Sequence, residues 1–123
     1  MKDILLDCYR VVRKVIFITK YRFSRVNYTS LVCLGSHISR DLTAGKHCYI
    51  AKGAYICPKV FIGNFTMLAP NVTVTGKDHS FNKIGVPIIF SGRECLSSTY
   101  IGDDVWIGAN VIIMAGVKIG SGS

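Results

Sequence analysis

Acidic residues are scarce in this chain: seven Asp and Glu stand against fifteen Lys and Arg in 123 residues, a formal net charge of +8. The excess is uneven. Residues 1 to 26 hold seven cations (Lys2, Arg10, Arg13, Lys14, Lys20, Arg22 and Arg25) against Asp3 and Asp7, so +5 sits there and the remainder is only mildly basic. No basic stripe interleaved with aromatics follows residue 26, so nucleic acid is not the expected partner; mild basicity suits a phosphorylated cofactor or substrate. Long apolar runs are also missing. None approaches the roughly 18 residues of a membrane-spanning helix, and Val15 to Thr19, crowded by Arg13, Lys14 and Lys20, is too short for a signal-peptide core. Paired cysteines are absent too. Cys8, Cys33, Cys48, Cys57 and Cys95 are odd in number, with no C-x-x-C and no Cys/His cluster at zinc spacing, so no metal is expected. They read as small buried hydrophobes of a reducing, cytoplasmic compartment.

Hydrophobic residues, at 50%, are plentiful and charged ones make up 18%, which excludes a disordered chain. A chain of this length holds one small domain. Its pattern has a period of six. Stepping by six from Val32 gives Val32, Ile38, Ala44, Ile50, Ile56, Ile62, Leu68 and Val74, and from Ile101 gives Ile101, Ile107, Ile113 and Ile119. The fourth residue after each is mostly small or β-branched, Leu42 and Asp78 being the exceptions. A helix has a period of 3.6 and a strand of 2, so neither explains the pattern. An antiparallel sandwich of short strands gives no fixed phase. Three six-residue sides per coil, each ending in a corner, put every sixth aliphatic side chain on the axis of a triangular prism. Gly63-Asn64, Gly102-Asp103, Gly108-Ala109 and Gly120-Ser121, each following an axial residue, suit tight corners.

The phase is lost from Gly76 to Tyr100, so a loop at 76–100 leaves the prism, and long excursions from a regular scaffold tend to carry function. Residues 2 to 20 follow a different period: Ile4, Leu5, Cys8, Val11, Val12, Val15, Ile16 and Ile18 fall on one side at 100° per residue and the charges on the other. This predicts an amphipathic helix with a linker over 21 to 31. Two uses of its apolar stripe remain open, capping the open end of the prism or lying on an anionic membrane as a peripheral contact. The expected organisation is therefore 1–31, helix and linker, and 32–123, the repeat domain.

At Ile62 to Gly76, then Asp78-His79, then Ile101 to Val111 with its Val105-Trp106-Ile107-Gly108 block, the chain resembles the hexapeptide-repeat acetyltransferases. Within them it is most similar to the branch acting on galactosides, maltose and capsular, colanic-acid-type or O-antigen polysaccharides. The resemblance covers residues 32 to 123. It implies an all-β fold, a left-handed parallel β-helix of hexapeptide repeats, and transfer of an acetyl group from acetyl-CoA to a sugar hydroxyl. It further implies a homotrimer that binds the pantetheine arm between subunits. By position it makes His79 the general base, a role that suits imidazole near neutral pH. Asp78 either orients that ring or turns a corner. The resemblance places Ala109 at a backbone contact with the cofactor and Trp106 beside the pantetheine arm, against the plainer reading of Trp106 as coil packing. His37 and His47 are ten residues apart, not one coil, which does not support a three-histidine zinc site.

Two departures shape the expectation. No asparagine near Tyr49 to Ala54 matches the acceptor-holding one of the galactoside and maltose enzymes, which tilts the acceptor toward a polysaccharide or its precursor. The chain stops at Gly120-Ser121-Gly122-Ser123, inside a repeat, where family members continue, so a fragment or a truncated reading frame is expected. The competing functions are antibiotic acetylation of the streptogramin or chloramphenicol type and a β-helix without catalysis.

Overall fold

The structure, a computed structural model, describes residues 4, 5, 7–9, 11, 12 and 24–123. Twelve short strands stack into three parallel four-stranded sheets, the faces of a triangular prism. The first face holds β1 (Leu31–Val32), β4 (Tyr49–Ile50), β7 (Met67–Leu68) and β10 (Trp106–Ile107). The second holds β2 (His37–Ile38), β5 (Tyr55–Ile56), β8 (Thr73–Val74) and β11 (Ile112–Ile113), and the third β3 (Thr43–Ala44), β6 (Val60–Ile62), β9 (Thr99–Ile101) and β12 (Lys118–Ile119). This is the triangular prism that the period of six implies, and the left-handed parallel β-helix that the family resemblance implies.

Register follows the repeat. Leu31 pairs with Tyr49 and Tyr49 with Met67, one 18-residue coil apart, but Met67 pairs with Trp106, 39 residues on. An excursion of 21 residues leaves the prism between β8 and β9, and the axial phase resumes after it. The axial residues form the core: Val32, Ala44, Ile50, Ile56, Ile62, Leu68, Val74, Ile101, Ile107 and Ile113 are all 7% exposed or less. The position four residues further on completes it, with Leu42, Ala54, Val60, Thr66 and Val72 fully buried. Leu42, an exception by type, therefore keeps the core position. Asp78 does not; Thr99 fills that place when the chain rejoins, paired with Val60 and fully buried.

The corners use two devices. Three residues past the axial one, the backbone turns through the left-handed region, at Gly35, His47, Gly53, Lys59, Phe65, Asn71, Asp104, Asn110, Gly116 and Gly122. Six of these are not glycine, so this periodic feature left no compositional mark. One residue past the axial one, glycine answers a different demand, close approach of stacked backbones. A Cβ on Gly63 would lie 2.7 Å from the Asp103 nitrogen and 2.7 Å from the Gly102 carbonyl carbon. Side chains bind the same corner from coil to coil: the Lys46 amide donates to Asn64 Oδ1 at 2.9 Å, the Asn64 amide to Asp103 Oδ1 at 2.5 Å and the Asp103 amide to Ser121 Oγ at 2.9 Å. Buried hydroxyls are satisfied there too, Ser30 Oγ donating to the Gly45 carbonyl and Thr66 Oγ1 to that of Gly102.

Two expectations are corrected. The phase begins one step earlier than Val32: Val26, assigned to a linker, bridges Ala44 in parallel and packs on the core, with the Asn27 amide donating to the Ala44 carbonyl. The described residues between 4 and 12 are helical as expected, but Ile4, Leu5, Val11 and Val12 are 55% to 70% exposed. These side chains do not cap the prism, whose first coil is instead flanked by the segment around Val26. Val15, Ile16 and Ile18 lie outside the described residues. No helix among the described residues is long and apolar enough to cross a membrane.

Gly63→Ala should destabilise the fold by about 1–3 kcal/mol through backbone overpacking, whereas Gly120→Ala, with nothing within 4 Å of its would-be Cβ, should stay within about 0.5 kcal/mol. Urea unfolding of both variants checks this; equal effects would remove the close-approach account of the corner glycines.

Candidate active site

The excursion leaves the corner between the second and third faces and is tied to it at both ends. Cys57 Sγ donates to the Thr75 carbonyl at 2.8 Å, and Lys59 Nζ to that of Leu96 at 3.2 Å. Leu96 packs on the core. Between these ties the chain folds back on itself: His79 bridges Arg93 in antiparallel sense, the Ser80 amide donates to the Gly92 carbonyl at 3.1 Å and the Glu94 amide to that of Asp78 at 2.9 Å. A 3-10 turn at Ile88–Phe90 shapes the tip. Ser91 is buried beneath it, with Oγ donating to the Ile88 carbonyl, while Lys83 Nζ donates to the Ser91 carbonyl. The histidine thus sits in the paired stem, the most constrained part of the loop, while Phe81, Ile84, Ile89 and Phe90 at the tip are 74% to 101% exposed.

Nδ1 of the His79 imidazole is buried and makes no hydrogen bond among the described residues. The residue as a whole is half-buried. For Nε2 to accept a proton the neutral ring must carry its hydrogen on Nδ1, which leaves a buried donor in need of an acceptor. Asp78 does not supply it, since its Oδ1 accepts from the backbone amide of His79 at 2.7 Å. Of the two readings open for Asp78, orienting the ring and turning a prism corner, the geometry gives neither; the carboxylate orders the backbone of the stem.

Trp106 and Ala109 lie elsewhere. Trp106 projects outward from β10 on the first face, 72% exposed, next to Met67 in the neighbouring coil, so packing against the coil does not account for its ring. Ala109 is an exposed corner residue between the first and second faces, just before Asn110. The loop departs from the opposite edge of the second face. Six residues at about 3.3 Å each make one side of the prism up to roughly 20 Å wide, and no hydrogen bond or strand pairing among the described residues joins His79 to Trp106 or Ala109.

The cysteines divide. Cys48 and Cys57 are buried and Cys33 is partly so, whereas Cys8 and Cys95 are exposed, against the expectation that all five are core residues. Burial pushes the Cys57 thiol up, helped by the charge of Asp41 and opposed by a backbone hydrogen bond. At Asp41 itself burial pushes the carboxyl up, but the Ser39 hydroxyl, the Lys59 amide, its own amide and the charge of Arg25 together bring it below its ordinary value. Sequence reasoning missed this Ser39, Asp41 and Lys59 tie beside the loop root because Asp41 falls where other corners have left-handed residues.

The comparisons with known proteins agree with this architecture. The family model for bacterial transferase hexapeptide repeats (six repeats) matches residues 98–123. Over 64 residues the chain is 36% identical to a galactoside O-acetyltransferase of Lactococcus lactis, covering 52% of this chain and 30% of that one. Over 91 residues it is 36% identical to a putative acetyltransferase of Schizosaccharomyces pombe, covering 71% and 39%. The chain thus spans well under half the length of these curated relatives. Among solved structures, an N-acyltransferase of Bacillus cereus, AntD, in complex with dTDP and coenzyme A matches with a TM-score of 0.56 at 17% identity, covering 85% of this chain and 74% of that one. That likeness is one of fold.

Labelling with iodoacetamide in the folded state should modify Cys95 rapidly and Cys57 only after unfolding, because the thiolate is the reacting form and Cys57 is buried and held protonated. Mass spectrometry of the peptides checks the order; early modification of Cys57 would contradict the packing of the loop root.

Proposed function

We propose that this chain, which carries the hexapeptide repeat of bacterial transferases, belongs to an acetyl-CoA dependent O-acetyltransferase that acts on a hydroxyl of a sugar in a surface polysaccharide or its precursor. The observation that carries this reading is His79, half-buried in the paired stem of the 21-residue excursion. A stem placement fixes the ring better than a loop tip would, and general-base work needs a fixed ring.

In the proposed reaction, Nε2 of His79 takes the proton of the acceptor hydroxyl as its oxygen attacks the thioester carbonyl carbon. The carbon–sulfur bond then breaks, and the departing coenzyme A sulfur takes that proton from the imidazolium. Transfer is direct. Cys48 and Cys57 are unsuited as nucleophiles, since they are buried and donate to the Gly63 and Thr75 carbonyls.

The site is completed by a neighbouring copy in a homotrimer. Two observations support this: the second face lies between the root of the His79 stem and the corner that holds Ala109, and Nδ1 of His79 makes no hydrogen bond among the described residues. The outward row of Tyr49, Met67 and Trp106 on the first face offers an apolar track for the pantetheine arm, with Ala109 as a backbone contact at its end. The exposed Ile4, Leu5, Val11 and Val12 favour peripheral contact of a cytoplasmic enzyme with an anionic membrane over the capping role.

In the whole protein, His79→Ala should lower kcat by about 10²- to 10⁴-fold, with little change in the KM for acetyl-CoA, followed by release of the coenzyme A thiol. A variant at full rate, or an acetylated enzyme trapped without acceptor, would refute the assignment.

A further inference from the structure

A groove of about 490 Å³ crosses the second face at its first two coils, lined by His37, Ser39, Tyr55 and Pro58, with Ile38 and Ile56 beneath. We propose that this groove is the acceptor cleft, holding a saccharide that Tyr55 and His37 select; the proposal rests on the acetyl-transfer reading above. His37 and Tyr55 are register partners on adjacent strands of one parallel sheet, so their side chains project from the same surface one rung apart. Both are exposed, Tyr55 by 50%, and neither side chain makes a hydrogen bond with a described residue. A phenol and an imidazole left unpaired on a rigid sheet present a flat apolar ring beside polar donors and acceptors. A pyranose asks for that combination, with its apolar C–H face and its ring of hydroxyls.

The aromatic pair on the third face does not offer it. Phe61 and Tyr100 stack on each other at 5.0 Å, with Lys118 over the Tyr100 ring. Their faces are occupied, so that row braces the third sheet.

The groove also leads to the base. Its wall includes Cys57, whose thiol holds the Thr75 carbonyl, and a Cβ on Gly76 would stand 3.4 Å from Cys57 Cβ. The stem therefore starts where the groove ends. Four residues separate Thr75 from His79, a reach of at most about 14 Å. A saccharide in the groove that meets the imidazole has to span no more than that reach. The floor is rigid, since both strands pair on each side within the stacked coils except at the outer edge of β2.

The test uses the whole protein with acetyl-CoA and a panel of methyl glycosides and short oligosaccharides, following thiol release, and titrates the same saccharides by NMR without acetyl-CoA. Tyr55→Ala and His37→Ala are expected to raise the KM of the accepted saccharide by about ten-fold each. They should leave the KM of acetyl-CoA and the acceptor-independent hydrolysis of the thioester unchanged. Tyr55→Phe, which keeps the ring and its packing, is expected to fall between wild type and Tyr55→Ala. An unchanged acceptor KM in all three variants overturns the proposal, as does transfer confined to hydroxyl acceptors that are not saccharides. Saccharide binding that these substitutions abolish, in a protein that transfers no acetyl group to any acceptor, leaves the groove as a saccharide site and overturns the acetyl-transfer reading instead.

Discussion

Parallel backbone pairing between coils is the interaction on which the rest of this molecule depends. No coil has a hydrophobic interior of its own; each contributes three axial aliphatic residues and closes only against the coil above and below. Pairing in steps of 18 residues holds those side chains in line, and the line of side chains fixes the register in turn. The glycines one position past the axis and the Asn64, Asp103 and Ser121 ladder serve this contact, letting backbones approach and then binding them together.

The same constraint explains how an irregular segment is tolerated. A 21-residue excursion costs the prism nothing in register because it leaves and rejoins at a corner, where the pairing is already interrupted. Thr99 re-enters the core position that Asp78 would have held, and its Oγ1 accepts the Gly116 amide at 3.1 Å. The scaffold on both sides stays regular, and the stem that carries His79 is anchored to it through Cys57 and Lys59. A rigid frame with one paired excursion is a suitable support for the proposed base, which must be held in place.

Much of the fold was legible in the sequence because one strong signal, the aliphatic residue at every sixth position, is the core itself. Val26 escaped because it stands alone ahead of Val32, next to a segment with helical periodicity. The helical state of the described residues between 4 and 12 was legible from the stripe, but the fate of the stripe was not, since amphipathicity says that a face is apolar and not what covers it. The left-handed corners were hidden for a physical reason. Stacking between coils fixes their backbone strongly enough that His47, Lys59 and Phe65 adopt a conformation usually left to glycine. At the site, the position of His79 was readable from the break in phase. The bond that the Asp78 carboxylate accepts from the His79 backbone amide was not, and neither was the groove by Tyr55, because lateral contacts between coils have no local pattern to betray them.

The proposed base, His79, and the proposed donor track along Trp106 lie at different edges of one prism, and in the proposed homotrimer a neighbouring copy joins them. Subunit mixing tests this most directly. His79→Ala and Trp106→Ala subunits of the whole protein, each impaired alone, are unfolded together, refolded as mixed assemblies and assayed for transfer from acetyl-CoA. Recovery of activity on mixing is the predicted result, because some neighbouring pairs then combine an intact His79 with an intact Trp106. Mixed assemblies that form but remain as impaired as their parents, while refolded wild type transfers normally, would contradict a site shared between copies.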